Sequence, residues 1–73
     1  MTHTNSNIIR MANHIANSFS GYSEEAAVKE TAEHINAFWE TRMRAQLFGL
    51  SDAERATLTP VVQTAMLSIR QPA

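Results

Sequence analysis

The chain has no cysteine. That excludes disulfide staples, and it excludes thiolate zinc and iron–sulfur sites. Glycine and proline number only two each, and Gly21 and Gly49 stand alone, so no glycine-rich phosphate loop can form. There is no Gly-x-Ser-x-Gly elbow for a nucleophilic serine. Neither sign of charge dominates: the formal net charge is −1, the wrong balance for a dedicated nucleic-acid binder, whose affinity rests on phosphate neutralisation. No apolar run approaches the roughly 20 residues of a membrane span. The polar opening Met1-Thr2-His3-Thr4-Asn5 lacks the basic and apolar regions of a signal peptide. These absences point to a soluble, cytoplasmic domain. At 73 residues it is a single unit, residues 1–73, with loose ends expected at 1–5 and 71–73. A chain this short buries only about 60% of its unfolded surface. Without staples, its stability must come from well-packed helices or from a partner.

What is present reads as helix. Eleven alanines favour it, and no stretch shows the sustained period-two alternation of a strand. The first helix is expected over Ser6–Phe19, capped by Asn5 or Ser6. Its apolar stripe is Ile8, Met11, Ala12, Ile15, Ala16 and Phe19. Gly21 suits a left-handed position past its end. Ser23 caps the second helix, with Glu24 and Glu25 in the first turn, where the helix dipole favours negative charge. Val28, Thr31, Ala32, Ile35, Phe38 and Trp39 form a stripe about 120° wide on it.

A straight continuation past Trp39 would carry Arg42 into that apolar stripe, which is costly for an unpaired charge. Either the helix breaks near Glu40-Thr41, or Arg42 emerges from the apolar end to meet something; a break would let a short helix begin, with Met43 and Leu47 inward and Gly49 at its end. Ser51-Asp52-Ala53-Glu54 is a capping-box pattern that opens one or two turns. Thr59 and Pro60 start the last helix as N-cap and first helical residue. Leu58, Val61, Val62, Ala65, Met66 and Ile69 face inward on it, and Leu67 faces away. The expected fold is all-α: a small antiparallel bundle of three main helices plus one or two short ones.

No assembled chemistry is visible. His3, His14 and His34 have no metal-ligand spacing, and the glutamates read as a solvated face. The segment Trp39-Glu40-Thr41-Arg42-Met43-Arg44 is different in kind. Tryptophan and arginine are enriched at interface hot spots, and methionine suits adaptable surfaces. Trp39, Arg42 and Met43 share neighbouring faces of a helix, while Arg42 and Arg44 diverge by about 160°. Pattern alone divides evenly between a core tryptophan with solvated arginines and a partner-binding face. A small homodimeric regulatory or DNA-binding domain is the alternative function, with helices flanking Gly49 imitating a helix-turn-helix. Asp52 and Glu54 against Arg55 make a poor recognition helix for it.

Three blocks carry a family resemblance. They are Ile9-Arg10-Met11-Ala12-Asn13-His14-Ile15-Ala16 with Phe19; His34-Ile35 with Phe38-Trp39-Glu40-Thr41-Arg42-Met43-Arg44; and Leu58-Thr59-Pro60-Val61-Val62 with Ala65. In this order they resemble the delta subunit of soluble NAD-dependent formate dehydrogenases that use molybdenum or tungsten. Thr41 stands where that family commonly has proline, and the segment between Gly49 and Leu58 is not glycine-rich as in the family. The resemblance implies a non-catalytic accessory subunit with no cofactor of its own. It implies docking on a large molybdopterin-binding subunit, in a complex carrying bis-molybdopterin guanine dinucleotide, iron–sulfur clusters and FMN, in support of assembly or cofactor retention. The residues expected to meet that partner are Arg10, Trp39, Arg42, Met43 and Arg44.

Overall fold

The computed structural model describes residues 3–71. Its described residues are helical with no strand: α1 His3–Ser18, α2 Glu24–Phe38, α3 Thr41–Phe48, α4 Asp52–Arg55 and α5 Pro60–Ala65. The all-α expectation therefore holds. α3 is the short helix that a break allows, with eight residues, whereas α5, read as one of the three main helices, has only six. α2 packs chiefly on α5, and α1 lies against α2, α3 and α5. The molecule measures 35 × 24 × 17 Å. Its thinnest dimension is less than two helix diameters of about 10–12 Å, so the core is one layer of side chains deep.

Local chemistry explains most boundaries. Ser23 accepts a hydrogen bond from the Ala26 N–H and starts α2. Thr59 accepts from the Val62 N–H, with Pro60 behind it, and starts α5. Ser51 and Glu54 make the full reciprocal capping box of α4. The break after α2 is present although Thr41 is not proline: Trp39 and Glu40 are extended, with ψ of 137° and 157°. Gly49 closes α3 with its N–H on the Ala45 carbonyl at 2.9 Å. A Cβ there would stand 3.3 Å from that oxygen, so the glycine serves close approach rather than a left-handed turn.

Three expectations are corrected. α1 begins at His3, not Ser6, because Asn5 does not cap it but reaches across to donate to Glu54 Oε2 at 3.1 Å. Of the loose ends expected at 1–5 and 71–73, residues 1–2 and 72–73 lie outside the described residues, and 3–5 belong to α1. Gly21 has no positive φ; the α1–α2 connector is built from short-range bonds such as Tyr22 N–H to the Phe19 carbonyl. The last helix ends at Ala65 rather than running to Ile69: past it the bonds tighten to i→i−3, Leu67 N–H to the Thr64 carbonyl and Ser68 N–H to the Ala65 carbonyl, and the backbone that follows is held by Asn36. Its amide donates to the Ser68 carbonyl at 3.1 Å and accepts from the Arg70 N–H at 2.8 Å.

Asn13 on α1 does the same at the other end of α5, donating to the Thr57 carbonyl at 3.2 Å and accepting from the Thr59 N–H at 2.9 Å. α5 is thus held at both ends by an asparagine that reads a carbonyl and an N–H two residues apart. Between these clamps the core is continuous. Ile8, Ala12 and Ala16 of α1 meet Ala32 and Ile35 of α2, and Trp39, Leu47, Leu58, Val62, Ala65, Met66 and Ile69 supply the bulk. Alanines at three of the α1–α2 positions let those helices approach closely.

Thr31 is fully buried on α2, and its hydroxyl has no hydrogen-bond partner among the described residues. An unsatisfied buried hydroxyl costs about 1–3 kcal/mol. Thr31→Val, which keeps the shape and removes that cost, should raise stability by about 1 kcal/mol, a Tm gain of about 4–8 °C in thermal unfolding. Asn36→Ala removes two hydrogen bonds and should lower stability by about 1–2 kcal/mol in urea unfolding. Glu54 has its pKa lowered by the Ser51 backbone N–H and then by the Asn5 amide, both of which favour the carboxylate. Between its folded and ordinary values the unfolded chain binds more protons, so stability rises with pH there. The contribution is complete above the ordinary glutamate range and disappears as pH falls through the folded value. Across that window Glu54→Gln should show a flatter Tm–pH profile than the wild-type chain.

Candidate functional site

The five residues expected at a partner face fall into different environments. Trp39 sits at the C-cap of α2, only 6% exposed, and belongs to the core cluster. It is not a free surface anchor, because the break turns it inward. Met43 is half-buried and packs against the core. Arg44 is half-buried and committed internally: Nη1 donates to the Trp39 carbonyl at 2.9 Å and Nε to the Arg70 carbonyl at 3.1 Å. It satisfies an orphan carbonyl at the end of α2 and ties it to the C-terminal segment. Arg42 is exposed in the first turn of α3 and has no hydrogen-bond or carboxylate partner among the described residues. Arg10 is exposed on α1, with Nη2 bonded to Asn7 Oδ1 at 2.9 Å.

The structure does bring Arg10 and Trp39 to one place. A groove of about 450 Å³ between α1 and α2 is lined by Arg10, Met11, His14, Ile15, His34 and Trp39. Phe38 lies outside that lining but packs on His34 at its edge, the two ring centroids 4.8 Å apart with a 41° tilt. Phe38 is 74% exposed, although the stripe on α2 places it inward. The reason is again the break: once Trp39 fills the space at the end of α2, the preceding residue points outward. Met11, also read as an inner residue, is 39% exposed. Sequence reasoning therefore missed Met11 and Phe38 as surface, whereas His14 and His34, read as boundary residues beside the two stripes, do line one groove. The available signal was width, since two broad apolar stripes exceed what a single-layer core can cover.

The groove has an apolar floor and a rim of Arg10, His14 and His34, with no acidic residue in its lining. A second groove of about 810 Å³ between α1 and α4 shares Arg10 and His14, but its Asn13 and Glu54 are already hydrogen-bonded within the chain. Among the described residues no group of three His, Asp or Glu is placed to hold a metal ion. Two histidines alone fall short of a zinc site. A chain without cysteine does not fit an iron–sulfur cluster. The DNA-binding alternative lacks its reading element, as α4 is a single turn of four residues. No helix among the described residues is long and apolar enough to cross a membrane.

No curated protein and no solved structure matches the chain. A family model described as "NADH-dependant formate dehydrogenase delta subunit FdsD" matches residues 7–66. The match enters within α1 and leaves just past α5, so it takes in every helix junction as well as the groove. On that match the chain belongs to the FdsD family, the delta subunits of NADH-dependent formate dehydrogenase.

Proposed function

We propose that this chain is a non-catalytic accessory subunit of a cytoplasmic NAD-dependent formate dehydrogenase. In this reading it docks on the large molybdopterin-binding subunit and supports assembly of the complex or retention of its cofactor. Bis-molybdopterin guanine dinucleotide, iron–sulfur clusters and FMN belong to the partner subunits. The family match over residues 7–66 carries the reading.

The surface supports it. Phe38 is left largely uncovered beside an apolar groove in a domain with little core to spare. Arg42 sits in the first turn of α3, a position where the helix dipole disfavours a cation by about 0.3–1 kcal/mol, and the carboxylate of the N-cap residue Glu40 makes no capping bond. Local rules are broken most often where function requires it. The docking face would combine Arg10 and Arg42 as free cations with the Trp39 edge. Met43 and Arg44 would act from behind, holding the α2–α3 corner in shape.

Co-expression of the tagged chain with the large subunit tests the proposal. The large molybdopterin protein should be recovered with the tag, and omitting the chain should lower the molybdenum or tungsten content of that subunit. Arg42→Ala should weaken recovery, since truncating one side of a desolvated charge pair costs about 2–5 kcal/mol. Undiminished recovery and unchanged metal content in Arg42→Ala would remove Arg42 from the docking face.

A further inference from the structure

Three surface grooves have apolar residues in their lining, and their charges set them apart. One lies around Phe48, Met66, Leu67 and Ile69, with Leu67 87% exposed. Its arginine, Arg55, already donates to the Phe48 carbonyl at 3.2 Å. A second lies between α2 and Ser68 and mixes both signs, with Lys29 and Glu33 paired at 3.8 Å. The third is the α1–α2 groove, where Arg10 has a single neutral acceptor, Asn7 Oδ1. A guanidinium carries five N–H donors, so this one keeps most of its hydrogen-bonding capacity for something outside the chain.

The geometry points to a definite occupant: a segment of the partner subunit that presents a bulky apolar side chain to Met11, Ile15 and Phe38, flanked by a carboxylate that pairs with Arg10. This deepens the subunit reading and rests on it. The apolar floor selects the anchor. The basic rim selects the carboxylate, and a planar guanidinium takes it in a two-bonded fork. A second copy of this chain is the poorer occupant. The same lining on another molecule offers no acidic residue, so Arg10 would find no carboxylate there.

The test uses the full chain co-expressed with the large subunit. Arg10→Glu should lower the retained partner about tenfold or more, and Arg10→Lys, which keeps charge but loses the fork, by a smaller factor. Phe38→Ser should also lower it, whereas Leu67→Ser, on the other apolar surface, should leave it unchanged. Arg10 and Phe38 are exposed, so circular dichroism and Tm of these variants should match the wild-type chain. Should the unmodified chain recover no formate dehydrogenase subunit, the subunit reading itself falls. Should it recover the partner while Arg10→Glu and Phe38→Ser recover as much, only the groove assignment falls. A dimer of the isolated chain in light scattering that Phe38→Ser dissociates would give the groove to a second copy and overturn the proposal.

Discussion

The Arg44 guanidinium fixes the one corner on which the rest of the structure depends. By donating to the carbonyls of Trp39 and Arg70, it joins the end of α2, the start of α3 and the C-terminal segment. A helix that ends inside a protein leaves carbonyls that need donors, and water is scarce there. With that need met by a side chain from the following helix, the break requires no proline. Its consequence is a division of labour between neighbours. Trp39 turns inward and becomes the largest side chain of the core, and Phe38 turns outward beside the α1–α2 groove. Core and candidate docking surface are thus two results of a single backbone event.

The same logic recurs around α5. A six-residue helix has little stability of its own, since nucleation is costly and propagation short. Asn13 and Asn36 supply what length does not, each pairing its amide with one carbonyl and one N–H of the backbone beyond the helix. With both ends held, Val62, Ala65, Met66 and Ile69 can fill the layer between α1 and α2 even where regular helix has stopped. The core is thin, and polar side chains do much of the aligning that a deeper core would do by packing.

Features carried by short spacing were legible in the sequence. Ser23, the Ser51–Glu54 box and the Thr59–Pro60 start each act within three residues, and all three stand where the pattern puts them. The break after Trp39 was legible as one of two readings, since a straight helix would carry Arg42 into the apolar stripe unless it emerged to meet something, and the extended Trp39 and Glu40 decide for the break. The asparagine clamps were not. Asn13 meets Thr59 across 46 positions and Asn36 meets Arg70 across 34, and nothing local to an asparagine announces a distant backbone partner. Nor could helical periodicity separate Phe38 from Trp39, because it assigns both to one stripe until the exact end of the helix decides between them.

The cations show how a site can be read partly right. The sequence offers Arg10, Arg42 and Arg44 as one kind of residue, yet the fold gives them different work. Of the six lysines and arginines, Arg44, Arg55 and Arg70 donate to backbone carbonyls and Lys29 pairs with Glu33. The three arginines tie backbone segments together, while Lys29 pairs only with an exposed neighbour on its own helix. Arg10 touches only a neutral amide, and Arg42 has no partner among the described residues. A charge used internally has spent its strongest interaction, whereas an exposed guanidinium beside uncovered apolar surface still has it to give. In the proposed docking, recognition would rest on the cations the fold leaves free, and the groove beside Arg10 is where free charge and uncovered apolar surface coincide.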